Sequence, residues 1–249
     1  MERLDRTATD VEIQAMRAQV QEALNGGALG LSSGLAYLWA NAASTDEVLA
    51  LAQPLASAGA VYTTHSRAET DAILHAMDEA FEIGRMAHVP VIVSHLKCAG
   101  IANWGRSGEV LQCLETARAT QRAGCDCYPY AAGSSTLDLR LVHERVEIAI
   151  TWSTSHPEIA GRSLAWIAAA WCMTQIEAAR RVQPAGANYH SISEEDMRRI
   201  LRHPATMIAR MVCRMTRCRT RVYGEHFHAS WAAIAATRNC LPCPRQCIR

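Results

Sequence analysis

His65 and His95 stand thirty residues apart, each at or just past the end of a short apolar run, Ala60-Val61-Tyr62 before the first and Val89-Pro90-Val91-Ile92-Val93 before the second. Neutral imidazole is the commonest metal-binding side chain, and two at neighbouring strand ends can share one ion. A lone strand-end histidine is ordinarily a hydrogen-bonded structural residue, so the repeated placement carries the argument. Lys97 follows His95 by two positions and is the single lysine among 25 basic residues, which favours a role specific to an amine, such as pairing with a substrate anion. Tyr128 and Ser134, in Tyr128-Pro129-Tyr130-Ala131-Ala132-Gly133-Ser134, offer hydroxyl donors after the next apolar run.

The elements that must hold these groups are legible upstream of Tyr128. Thr9-Asp10-Val11-Glu12 is a capping box, and Ile13, Met16, Val20 and Leu24 continue at helical spacing until Gly26-Gly27. Ser44-Thr45-Asp46-Glu47 repeats the signal, a third helix carries Leu74, Met77, Phe81 and Gly84, and a fourth carries Val110, Leu111, Leu114 and Ala117. Strand ends near Leu31, His65, His95 and Tyr128 recur about every thirty residues, the size of a βαβ crossover. Such alternation predicts an α/β fold with a parallel sheet, either a barrel or a doubly wound sheet. No Gly-x-Gly-x-x-Gly or P-loop follows a strand, which weakens the nucleotide-binding version. Beyond Tyr128 the pattern loosens: 162–172, 174–182 and 193–201 read as helices, the second opened by the capping box Thr174-Gln175-Ile176-Glu177, and 204–208 as one more short strand.

The 249 residues, 49% hydrophobic and 20% charged, exclude a disordered chain, a collagen-like repeat and a disulfide-stapled miniprotein. The net charge of +1 combines a segment of −6 up to Ile208 with one of +7 from Ala209 to Arg249, where eight arginines face one acid, Glu225. Five of the ten cysteines, Cys213, Cys218, Cys240, Cys243 and Cys247, lie in that short tail. No run approaches the ~18 apolar residues of a membrane span, and a reducing, cytoplasmic setting is the expectation.

Five segments, in order and spacing, resemble the N-acyl-D-amino-acid deacylases (D-aminoacylases), zinc-dependent members of the amidohydrolase superfamily. They are Gly27-Ala28-Leu29-Gly30-Leu31-Ser32-Ser33-Gly34-Leu35-Ala36-Tyr37, Tyr62-Thr63-Thr64-His65-Ser66-Arg67-Ala68-Glu69, Ser94-His95-Leu96-Lys97, Asn103-Trp104-Gly105-Arg106 and the Tyr-Pro-Tyr stretch. The resemblance implies a partial TIM-type (β/α)8 metallo-dependent hydrolase barrel over 1–208, about strands 4 to 8, with the N-terminal part missing. It implies His65 and His95 as zinc ligands, and Lys97, Tyr128 and Ser134 as the groups that hold the free carboxylate of a small-molecule N-acyl-D-amino acid. The implied reaction is zinc-dependent amide hydrolysis, with an aspartate after the eighth strand shuttling the proton. Neither a nucleic-acid nor a membrane partner is implied, and the oligomeric state is open.

Two departures set this chain apart. The family's first-strand His-x-His pair and its early metal-binding cysteine have no counterpart, and Cys98 lies on the wrong segment to replace the latter. After Pro204-Ala205-Thr206-Met207-Ile208 the family pattern continues Gly-Ser-Asp-Gly, whereas here Met211 stands where the aspartate is expected. One permitted back-translation from Ala209, read two bases later, gives Ser-Asp-Gly-Leu-Pro-His-Asp-Ala-Leu-Pro-His-Pro-Arg-Val-Trp, which is family-like. Residues 209–249 therefore read as a frameshifted, poorly ordered tail, and activity as impaired. A competing reading makes the tail a zinc-binding or nucleic-acid-binding appendage, but Cys240, Cys243 and Cys247 have only part of a zinc-knuckle spacing. Two alternatives for the whole chain stay open: a non-catalytic truncated gene product, and a dihydroorotase-like cyclic-amide hydrolase. Sequencing the DNA around the Ile208 codon is expected to show codons that encode the family-like string in the second frame; codons incompatible with it overturn the frameshift.

Overall fold

The computed structural model describes residues 5–209. In chain order the elements are α1 (Asp10–Asn25), β1 (Gly30–Gly34), α2 (Thr45–Ala52), β2 (Val61–His65), α3 (Ile73–Ala87), β3 (Val91–Val93), α4 (Ser107–Arg118), β4 (Ala123–Cys127), β5 (Gly133–Thr136), β6 (Glu147–Ser153), α5 (Leu164–Ala170), α6 (Gln175–Val182), β7 (Ala185–His190), α7 (Glu194–Arg202) and β8 (Thr206–Ile208). They fall into two units, residues 5–133 with 190–209, and residues 134–189. The expectation for 209–249, Met211 included, lies outside the described residues except for Ala209, whose N–H donates to the Cys127 carbonyl.

The first unit is built on a five-stranded sheet of order β1-β2-β3-β4-β8 with every neighbouring pair parallel. Because the order never reverses, right-handed crossovers place the connecting helices on one face of the sheet. The helices contact one another in the same sequence, α1 with α2, then α3, α4 and α7, and α3, α4 and α7 pack on β3, β4 and β8 respectively. Strand alternation sorts the side chains accordingly. Tyr62, Thr64, Val91, Val93, Cys125 and Cys127 are buried, whereas Thr63, His65, Ile92 and Asp126 are only partly covered and Ser32 and Met207 are exposed.

Local signals explain where the helices start. Thr9 and Glu12 form the expected capping box, and Arg6 adds a paired hydrogen bond to the Glu12 carboxylate at 2.8 and 2.9 Å. The Thr174–Glu177 box also forms. At α2 only half of the box appears: Ser44 accepts from the Glu47 N–H, but the buried Glu47 carboxylate accepts instead from the Ala8 N–H at 2.8 Å. The second helical signal thus ties the chain entering α1 to α2, a tertiary use of a residue that local patterning assigns to a cap. Helix α3 ends where His88 takes a left-handed conformation, φ 58°, and turns the chain into β3.

The second unit carries a three-stranded sheet of order β5-β7-β6, with α5 packed on α6 and on β6. Its helices begin one or two residues inside the expected spans, after the caps Ser163 and Thr174. Two of its strands, β5 and β7, have weak local signals, since Gly-Ser-Ser-Thr and Ala-Gly-Ala-Asn-Tyr-His lack the β-branched alternation that β6 shows in Glu-Ile-Ala-Ile-Thr-Trp-Ser. Pairing is reinforced by Tyr189, whose hydroxyl accepts from the Asp138 N–H at 2.8 Å and donates to the Thr136 carbonyl at 3.1 Å.

One glycine sets how closely helix and sheet approach. A Cβ on Gly84, inside α3, would lie 2.0 Å from Cγ2 of buried Val91. Replacing a helical glycine with alanine gains about 1 kcal/mol of helix propensity, but here overpacking costs about 1–3 kcal/mol. Gly84→Ala is therefore expected to lower the urea midpoint, whereas unchanged or raised stability would show that α3 can retreat from β3.

Candidate metal centre

The C-terminal ends of β2, β3 and β4 bring the sequence-singled residues of the first unit together. His65 is the last residue of β2, His95 and Lys97 follow β3, and Tyr128 follows β4. The imidazole rings of His65 and His95 have centroids 4.4 Å apart and planes at 89°. His95 holds an unusual backbone conformation, φ 40°. Its N–H donates to Asp126 Oδ1 on β4 at 2.7 Å, and the Leu96 N–H donates to the Asp126 carbonyl at 2.8 Å. Asp126 thus offsets the cost of a left-handed non-glycine residue at His95.

The group that sequence reasoning missed is Glu69, in the loop after β2. Its Oε1 lies 3.3 Å from His65 Nε2, 3.1 Å from His95 Nδ1 and 2.5 Å from Lys97 Nζ. Lys97, with 9% of its side chain exposed, also contacts His95 Nδ1 at 2.8 Å and donates to the His95 carbonyl at 3.0 Å. An ammonium has three donors and no acceptor, so all three are engaged here and Nδ1 of His95 must accept. The close approach of His95 Nδ1 to Glu69 Oε1 is then two lone pairs drawn together by one shared cation. Burial alone would push the Glu69 carboxyl up, but the Lys97 ammonium and the His65 imidazole outweigh it and hold the group well below the usual carboxylate range.

Neighbouring side chains frame this cluster. The Tyr37 ring meets His65 edge-on at 4.9 Å and stacks on Trp39 at 4.8 Å. Buried Tyr128 sits with its ring 6.2 Å from that of His95 and 5.4 Å from Lys97 Nζ. Arg67, between the two members His65 and Glu69, points elsewhere: it pairs with Glu79 at 2.7 Å and donates to the carbonyls of Asn41 and Ala43, holding the loop after β1. The Asn103-Trp104-Gly105-Arg106 motif is architectural as well. Asp196 accepts from the Gly105 N–H and the Ser107 hydroxyl, and Trp104 Nε1 donates to the Ser191 carbonyl. Ser134 lies on β5, in the other unit. Cys98 is fully buried, and burial pushes its thiol up to about 12.

The donor set suits a divalent transition metal. One ligand atom each from His65, Glu69 and His95 lies within 4.8 Å of the others, a nitrogen and oxygen set of the kind zinc accepts. His65 Nε2 is the ring nitrogen that faces Glu69 Oε1, while its Nδ1 is buried without a hydrogen-bond partner among the described residues.

No protein-family model matches the chain. Among curated proteins of Alcaligenes xylosoxydans xylosoxydans, a D-aminoacylase is 42% identical over 205 residues, covering 82% of this chain and 42% of the relative. An N-acyl-D-aspartate deacylase is 44% identical over 209 residues, covering 84% and 42%. The crystal structure of a D-aminoacylase, described as defining a novel subset of amidohydrolases, superimposes with a TM-score of 0.81 at 44% identity, over 84% of this chain and 44% of that one. An N-acyl-D-glutamate deacylase of Bordetella bronchiseptica, complexed with zinc and a phosphonate that mimics the tetrahedral intermediate, gives 0.80 at 39% identity over the same shares. The chain is homologous to these deacylases and spans about two fifths of the length of the curated relatives it matches.

Acid denaturation tests the Glu69 carboxylate. Its folded pKa lies below the unfolded value of about 4.3, so its stabilisation is present above that pH and is lost as pH falls through the folded pKa. In chelator-treated buffer, Glu69→Gln is expected to cost about 3 kcal/mol at pH 7, because it leaves a largely buried ammonium without its counter-charge. The gap to the parent should narrow on acidification below pH 4, and a constant gap in urea midpoints would refute the assignment.

Proposed function

We propose that this chain is a zinc-dependent amidohydrolase that cleaves the amide of N-acyl-D-amino acids to a carboxylate and a free D-amino acid, impaired relative to its relatives. The convergence of His65, Glu69 and His95 at adjacent strand ends, beside a buried lysine, carries this reading. The relatives' names supply the substrate class. The strand order without reversal favours a barrel over a doubly wound sheet, with β1, β2, β3, β4 and β8 as its strands 4 to 8 and residues 1–208 as the barrel portion. Residues 209–249 are the proposed frameshifted tail.

His65 and His95 would hold zinc, which when bound polarises an amide carbonyl and lowers the pKa of water. Asp126 holds the His95 backbone in place through its N–H. Lys97 and Tyr128 are the proposed carboxylate-binding groups, and Ser134 is a further hydroxyl donor on the resemblance of its segment alone. Because the three donors of Lys97 are already engaged, it must release Glu69 or His95 Nδ1 to meet a substrate. Met211 at the position of the expected aspartate removes the proton shuttle, which is why activity is proposed to be impaired. The cysteines of the described residues are all free thiols, in keeping with a cytoplasmic setting. No helix among the described residues is long and apolar enough to cross a membrane.

Purified chain with added zinc is expected to release free amino acid slowly from N-acetyl-D-amino acids and not from the L enantiomers. His65→Ala and His95→Ala should each abolish the release. Zinc-loaded chain that releases nothing above the blank would instead favour the non-catalytic gene product.

A further inference from the structure

We propose that Glu69 supplies the third protein ligand to a divalent metal ion shared with His65 and His95, in competition with the Lys97 ammonium for the same lone pairs. The inference rests on the metal-dependent reading above and adds a ligand to it. Among the described residues, His65, Glu69 and His95 are the sole group of three or more His, Cys, Asp or Glu side chains spaced to hold an ion. Glu69 can complete such a set because of where its oxygen lies. Tetrahedral zinc with bonds of about 2.0–2.2 Å to nitrogen and oxygen has ligand-to-ligand edges of about 3.3–3.5 Å. The distances from Glu69 Oε1 to His65 Nε2 and His95 Nδ1, 3.3 and 3.1 Å, are close to those edges.

The position of Lys97 makes the competition direct. Its ammonium bridges Glu69 Oε1 and His95 Nδ1, two of the atoms that would bind the ion, so both groups already present lone pairs to a cation. Metal uptake must displace the ammonium from both atoms. The same displacement frees two of its three donors, and these become available to an anionic substrate. Metal and carboxylate binding are thereby coupled in the favourable sense, and the coupling is reciprocal.

Zinc affinity of the full chain, measured by chelator competition, and the visible spectrum of the cobalt-loaded protein test this together. Glu69→Gln should weaken zinc binding by about 100-fold or more and change the cobalt bands, as loss of a ligand does and loss of a supporting partner, worth about 10–100-fold, need not. Lys97→Met should tighten binding by about tenfold or more, since it removes a competing positive charge. Glu69→His, which restores a ligand without restoring the charge, should recover most of the affinity. Circular dichroism establishes that each variant is folded before it is compared. If Glu69→Gln leaves the cobalt spectrum unchanged and Glu69→His does not recover binding, Glu69 is only an ion-pair partner and the inference fails while the metal reading stands. If the parent chain binds neither zinc nor cobalt, both fail.

Discussion

Parallel pairing without a reversal of strand order is the constraint from which the rest of the first unit follows. Each strand after β1 adds to the same edge, so each connecting helix is sent to the same face and the C-terminal ends collect along one side. The in-register pairing of Gly34 with His65, and of Thr64 with Val93, places the loops after β1, β2 and β3 side by side. Residues thirty positions apart in the chain thus become neighbours with ring centroids 4.4 Å apart. Close packing behind the sheet, as at Gly84 against Val91, keeps that spacing from relaxing.

What the sheet collects is a cluster with more donors of lone pairs than donors of protons. One imidazole, that of His95, and the Glu69 carboxylate share one ammonium, His65 Nε2 approaches the same carboxylate oxygen, and Asp126 holds His95 in a conformation it would not adopt unaided. In a partly buried setting such an arrangement is stable only with a cation at its centre, because the carboxylate loses solvation that no neutral partner restores. Lys97 supplies that cation internally. A single side chain therefore links the stability of the strand-end loops, the affinity of the centre for metal and the recognition of a substrate anion.

Several site features were legible in the residues themselves. His65 and His95 stood out because each interrupts an apolar run at an equivalent place, and Lys97 because no other lysine exists in the chain. Glu69 was not legible as a site residue. It sits in a loop with neither helical nor strand periodicity, and its partners His65, His95 and Lys97 meet it only in the folded chain. Asp126 carried a faint signal, an acid between two cysteines of an apolar strand, where alternation puts it on the face opposite both. Strands β5 and β7 of the second unit were missed because their residues are poor strand formers held by partners such as Tyr189.

The sequence by itself determined the periodic alternation of strands and helices, the capping boxes at Thr9 and Thr174, and the two histidines at strand ends. These are local properties, set by side-chain period and by hydrogen bonds within a few residues of chain. The tertiary structure alone decided that Glu47 caps a different part of the chain from its own helix, that Glu69 rather than a nearer acid meets Lys97, and that all three donors of that lysine are engaged. Those outcomes depend on which loops the parallel ladder sets beside one another, and a carboxylate selects its cation by distance and burial in the folded chain, neither of which is encoded in the spacing of residues along it.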